Sequence, residues 1–203
     1  MSDPRRSAAG PDFLTKPVLT GDLVTLRCVT ASDLPTLRGL WEDAEIRRLT
    51  GSHPGEPADE ARLHAWYATR VGQDDRLDLA VVDNATGAVV GETALNGWDA
   101  DNESCTFRIA LLPGHHGRGL GTEATRLICG HGFEKLGLHR ISLEVFTFNP
   151  RARRCYEKAG FVAEGTLRET LSWQGTWVDA TLMSILAGEW ERHGGRPERG
   201  RRE

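Results

Sequence analysis

Nothing in this chain of 203 residues approaches the roughly 18 consecutive apolar residues that a membrane-spanning helix requires. Residues Met1 to Gly10 hold arginines and a proline but no apolar stretch, so they do not read as a secretory signal. Cysteine is sparse. Cys28, Cys105, Cys129 and Cys155 lie far apart and form no Cys-x-x-Cys, which argues against a zinc site and a disulfide scaffold and favours a reducing cytoplasm. His115 and His116 lack metal-ligand partners at useful spacing, so no metal is read. Repeats and internal linkers are missing too. What remains is an ordinary soluble composition, 39% hydrophobic and 27% charged, at a length that suits one domain with a full core.

The net charge of −4 is unevenly spread. Residues 1–17 carry +1 and residues 191–203 carry +2, which leaves −7 between them. An acidic body does not suit nonspecific nucleic-acid binding and favours a cationic acceptor such as an amine. Both ends, 1–17 and the Arg/Gly-rich 191–203, read as solvated disordered tails around a domain at 18–190.

Within that domain, Leu23–Cys28 alternates as a strand, and Thr30 and Asp33 offer caps for a short helix through Trp41. The stretch from Leu49 to Pro57 reads as loop, and Asp59 caps a helix through Val71. Leu77–Asp83 and Ala88–Leu95 form a hairpin about Asn84–Gly87, with a second turn over Asn96–Asn102. Ser104–Leu112 is a strand, Glu123–Leu136 a helix closed by Gly137, and His139–Phe148 another strand. Asn149 then caps a helix with Pro150 at its first position, ending at Gly160. Phe161–Trp173 and Thr176–Leu186 complete a mixed α/β (α+β) domain: a mostly antiparallel sheet of about seven strands flanked by about four helices.

Between the strand ending at Leu112 and the helix at Glu123 lies Pro113-Gly-His-His-Gly-Arg-Gly-Leu-Gly-Thr122. Gly117, Gly119 and Gly121 leave little side chain between this backbone and anything lying against it. Where such a loop opens a helix, free N–H groups and the positive end of the helix dipole make an anion site. A tight turn with no ligand would also use glycines, so the loop alone leaves both readings open. A nucleotide P-loop would need Gly-Lys-Ser/Thr, and here Gly121 is followed by Thr122 with no lysine.

The order of elements, the run His116-Gly-Arg-Gly-Leu-Gly121 and the segment Asn149-Pro-Arg-Ala-Arg-Arg-Cys-Tyr-Glu-Lys-Ala-Gly-Phe161 together resemble the GNAT acyltransferases over about Leu23 to Leu186. Within them the chain looks like the branch that acetylates ribosomal-protein N-termini and its small-molecule relatives. His116 departs from the family's loop pattern, which begins with Gln or Arg. The resemblance implies that the backbone of Ile109, Ala110 and Leu111 pairs with the pantetheine arm of acetyl-CoA, the co-substrate. It also implies that Gly117, Arg118, Gly119, Leu120, Gly121 and Thr122 hold the pyrophosphate, and that Asn149 and Tyr156 reach the thiol.

Acyl transfer to an amine requires a neutral amine, a stabilised oxyanion and a protonated leaving thiol. The candidates are Leu111 N–H for the oxyanion, Tyr156 as acid and Glu144 as base, the last by resemblance to N-terminal acetyltransferases. Packing is the alternative for Tyr156, and an ion pair with Arg140 or Arg168 the alternative for Glu144; Glu92 and Glu103 are fallback bases. Arg108, midway along an apolar strand, either contacts an acceptor carboxylate or pairs within the sheet, for instance with Glu92. Trp173 and Trp177 either pack across their hairpin or line the acceptor pocket. The expected enzyme is an acetyl-CoA-dependent N-acetyltransferase acting on a small-molecule or peptide amine. No nucleic acid and no membrane are expected as partners, and a homodimer is the base-rate expectation. The rival is a non-catalytic acyl-CoA sensor or scaffold.

Overall fold

The computed structural model describes residues 10–53 and 59–192, and its strands form a single sheet. They are β1 (Leu19–Thr20), β2 (Val24–Cys28), β3 (Leu77–Asp83), β4 (Val89–Asp99), β5 (Ser104–Leu111), β6 (Arg140–Phe146), β7 (Val162–Trp173) and β8 (Thr176–Leu186). The spatial order is β1-β2-β3-β4-β5-β6-β8-β7, antiparallel at every step except β5 against β6. The helices are α1 (Leu34–Leu37), α2 (Gly39–Glu42), α3 (Ala44–Thr50), α4 (Glu60–Ala68), α5 (Leu120–Glu134), α6 (Pro150–Ala159) and α7 (Ala187–Arg192).

Alternation along the strands feeds two apolar clusters on opposite faces. Leu77, Leu79 and Val81 of β3 join the larger cluster with Ala124, Ile128 and Cys129 of α5. Ala80, between them, joins the smaller one with Leu34, Leu37, Leu40, Ile46 and Tyr67 from the early helices. The mixed, mostly antiparallel α/β domain expected from the sequence is the one observed.

The parallel junction governs the rest. β5 and β6 pair only from Ser104↔Arg140 to Thr106↔Ser142. Beyond those rows β5 continues beside β4 as far as Leu111, and β6 continues beside β8 as far as Phe146. The sheet therefore opens into a wedge. Backbone alternation fixes what β5 shows it: Leu112 N donates to Val90 O (2.8 Å), so residues of even number bond to β4. By the same alternation the N–H groups of Ile109 and Leu111 face the wedge.

Differences from expectation lie mostly at element ends. Among the described residues, short β1 raises the strand count to eight, and α2, α3 and α7 raise the count of α-helices to seven. α5 starts at Leu120 rather than Glu123, because Gly119 takes a left-handed φ of +86° and starts the helix inside the glycine loop. β4 runs through to Asp99, into the residues expected to turn. Leu49 and Thr50, expected in a loop, close α3, whereas Pro54 to Pro57 lie outside the described residues. The expected tail at 1–17 is shortened: Phe13 is buried against Trp98, and Lys16 Nζ donates to the carbonyls of Phe13, Gln73 and Arg76. At the other end Glu191 and Arg192 finish α7, whose Trp190 packs on Phe133 and donates to Glu134; the remainder of 191–203 lies outside the described residues.

Candidate active site

The wedge is the mouth of a cleft of about 910 Å³. On the β5 side it is lined by Ile109, Ala110 and Leu111, then by Gly117, Gly119, Gly121 and Thr122 of the loop and the start of α5. On the β6 side stand Glu144, Asn149 and Tyr156. Two residues expected with them have side chains that point elsewhere. Arg118 Nη1 reaches the buried carboxylate of Asp83 at 2.9 Å, and Leu120 is 2% exposed in the larger core. For these two only the backbone remains available to a ligand.

The start of α5 has no side-chain cap. Its first N–H groups thus lack intrahelical partners and face the loop formed by Gly117 and Gly119, both at positive φ. Glu123, an acid in the first turn, does not cap this helix. Its carboxylate accepts from the backbone N–H of Asp22, Leu23 and Val24 at 3.0, 2.7 and 2.7 Å, clamping α5 to the start of β2. His116 lines the cleft, and burial, then Arg151, lowers its pKa, so the imidazole is neutral at pH 7. Arg151, Arg154 and Lys158 of α6 also line the cleft, while Arg153 is held by Glu157 at 2.9 Å.

Across the wedge, Asn149 caps α6 as expected, its Oδ1 accepting from Ala152 N at 3.1 Å. About two turns on, Tyr156 is buried with its ring edge-on to Phe107 at 5.9 Å. Tyr156 packs in the core, as the packing alternative expects, and it also borders the cleft. Burial, then the neighbouring Cys155, raises its pKa, so the hydroxyl keeps its proton. Glu144 is exposed, and among the described residues no hydrogen bond or ion pair holds it; Arg140, its suggested partner, donates instead to Glu164 at 2.8 Å.

The opposite wall comes from the early helices. Trp41, Ile46, Leu63 and Trp66 line it, and α3 crosses toward β6, with left-handed Gly51 set against the Phe146 ring. A Cβ at Gly51 would lie 2.7 Å from that ring, so the crossing needs glycine. The last hairpin contributes nothing here: Trp173 stacks on His53, and Trp177 is 61% exposed outside the cleft. Glu92, at the floor, accepts from the buried Tyr67 hydroxyl at 2.7 Å, and burial raises its pKa against the pull of Tyr67 and Arg108. Neither the Tyr67–Glu92 bond nor the Glu123 clamp carries a local signal, for their partners lie 25 and about 100 residues apart in the chain.

An open strand edge with outward amides, an uncapped helix start in a glycine loop and a set of cations unpaired among the described residues together suit a long pantetheine arm ending in phosphates. Known proteins agree. The family profile described as an acetyltransferase (GNAT) domain matches residues 24–162. The spermidine N(1)-acetyltransferase of Vibrio cholerae is 30% identical over 167 residues, 82% of this chain and 95% of that one. A crystal structure of the V. cholerae spermidine N-acetyltransferase with CoA and spermine superposes with a TM-score of 0.76 at 28% identity, covering 84% of this chain and 99% of that one. A putative ribosomal N-acetyltransferase of Bacillus subtilis is also 30% identical, but over 105 residues, 52% of this chain and 57% of that one. The chain belongs to the GNAT N-acetyltransferases, acyltransferases that use acetyl-CoA.

Proposed function

We propose that this enzyme moves the acetyl group of acetyl-CoA onto the primary amine of a small molecule by direct attack on the thioester. The observation that carries the reading is the wedge itself, with the outward amides of Ile109 and Leu111 on one wall and the protonated Tyr156 hydroxyl on the other. Similarity to a spermidine acetyltransferase along nearly that protein's whole length supports a small-molecule amine over a protein N-terminus. Among the described residues no helix is long and apolar enough to cross a membrane, and the four cysteines are free, which fits a cytoplasmic enzyme.

In this mechanism the backbone amides beside Ile109 and Leu111 hold the pantetheine arm, while the amides of residues 117–122 with Arg151, Arg154 and Lys158 take the phosphates. Glu144, through water, accepts a proton from the incoming ammonium. The amine nitrogen then bonds to the thioester carbon, Leu111 N–H stabilises the carbonyl oxygen as it becomes anionic, the nitrogen gives its second proton to water, and the C–S bond breaks as the carbonyl reforms. Tyr156 O–H gives its proton to the departing sulfur and is reprotonated from solvent; the products are an N-acetyl amine, CoA with a free thiol, and one proton.

Glu92 is a second candidate base, favoured by the burial that raises its pKa. The two are separated by pH–rate profiles. The Glu144→Gln variant is expected to lose most rate at low pH, where the amine arrives protonated, and to approach the parent at high pH; this behaviour in Glu92→Gln instead would move the role to Glu92. Transfer itself is tested by thiol release over a panel of amines, with products read by mass spectrometry. Binding of CoA without release on any amine would favour the sensor.

A further inference from the structure

The acceptor side of the cleft has an unusual charge arrangement. Thr106 and Ser142 form the last paired row of β5 and β6, and two residues further along each strand come Arg108 and Glu144. Strand alternation puts both on the same face, on either side of the opening wedge. Both are exposed, both line the cleft, and neither has a hydrogen-bond or ion-pair partner among the described residues, including each other. An unpaired cation thus stands across a gap from an unpaired carboxylate.

The other charges nearby are already engaged or balanced. Asp78 is held by Arg76 through two bonds of 2.7 Å and approached by Arg70 at 3.8 Å. The raised pKa of Glu92 and its bond from Tyr67 reduce its value as a counter-ion. Asp59 accepts from Ala61 N at the rim, and Arg62, without a partner among the described residues, lines the cleft beside it. A polycation entering this lobe would meet about as much unengaged positive charge as negative. A molecule carrying both signs would satisfy Arg108 and Glu144 together.

Resting on the acetyl-transfer reading above, we infer that the acceptor is a primary amine that also bears a carboxylate, held by Arg108 while its amine lies against Glu144. Arg108 is then a specificity-determining residue: its guanidinium can take a carboxylate through two parallel N–H···O bonds.

The test uses the full chain, acetyl-CoA and amines in matched pairs that differ by one carboxylate: lysine with cadaverine, methionine with 3-(methylthio)propylamine, phenylalanine with phenethylamine, and spermidine as a polycation. At least one amino acid is expected to exceed its decarboxylated partner by about tenfold or more in kcat/KM, the range of a charge-assisted pair. Arg108→Gln should abolish that ratio, mainly through KM, and Arg108→Lys should keep part of it. Unchanged CoA affinity and melting temperature would show that the variants fold. The inference is overturned if cadaverine, the other decarboxylated amines or spermidine match or beat the amino acids. It is equally overturned if the ratio survives in Arg108→Gln, since the difference would then lie in the amines themselves. Both of these outcomes leave acetyl transfer standing, whereas release on no member of the panel would overturn the two readings together.

Discussion

Tyr156 keeps its proton because its surroundings cannot stabilise a phenolate, and that protonation is what an acid for the leaving thiolate requires. Burial raises its pKa above the ordinary tyrosine value of about 10, so the neutral hydroxyl persists through neutral and moderately alkaline pH. Two outcomes follow for this residue. Tyr156→Phe is expected to lower kcat by about 10²-fold or more while leaving CoA affinity nearly unchanged, because the ring packing on Phe107 survives the loss of one oxygen. The parent's pH–rate profile should show no alkaline fall attributable to Tyr156 below about pH 10; a fall centred near pH 8 that vanishes in Tyr156→Phe would contradict this role. Tyr156 and Asn149 were legible in the sequence because cap, proline and tyrosine sit on one helix at fixed spacing. Arg118 and Leu120 were harder to read, since a glycine loop reveals that its backbone is exposed but not where the intervening side chains turn. Glu92 reads in the sequence only as a fallback base; the bond that Tyr67 gives it, and its place at the floor of the cleft, come from the fold.

At the scale of elements, the start of α5 is held by a residue that ordinary helix reasoning assigns differently. An acid in the first turn is expected to complement the helix dipole. Glu123 instead gathers three backbone N–H groups from the turn leading into β2, and Gly21 lies so close that a Cβ there would be 2.6 Å from the Glu123 carboxyl carbon. The glycine loop is thereby fixed against the sheet before any ligand arrives. Glu123→Ala leaves three amides without this acceptor, at a cost of about 1–3 kcal/mol. Chemical denaturation should report that loss, and CoA affinity should weaken with it as the loop loosens. A variant as stable as the parent would mean that water replaces the carboxylate. The strands were legible nearly residue by residue, as with Leu77–Asp83 and Thr176–Leu186, because alternation and turn chemistry are local. Of the short helices, α2 falls within the helix expected through Trp41, whereas α3 and α7 were not read: each is only a turn or two long, and the cap of α3 at Asp43 and its closing Gly51 lie in a stretch with no apolar periodicity.

Over the whole molecule, the feature with most consequence is that one sheet is built as two halves joined by three parallel rows. One half carries β1 to β5 and the other β6 to β8, and the amides of Ile109 and Leu111 at the boundary have no strand beside them. That gap was not written as a pattern in the sequence. Ser104–Leu112 and His139–Phe148 each read as an ordinary strand, and only their register reveals where they part. A ligand that lies along β5, reaches α5 and meets α6 would touch both halves and supply the missing partners. It should stabilise the fold by mass action, about 2.7 kcal/mol at a hundred times its dissociation constant, which for a chain of this size raises the melting temperature by about 5–10 °C. The location matters more than the size. Hydrogen exchange with and without CoA should slow most at the amides of Ile109 and Leu111 and across residues 117–122. The Ala110 amide, already bonded to β4, should change less. Protection spread evenly along the chain would mean global stabilisation by a ligand seated elsewhere. Protection confined to 117–122 would mean that the phosphates bind while the strand edge stays open, and the acyl carbon would then not be held where Leu111 and Tyr156 can act on it.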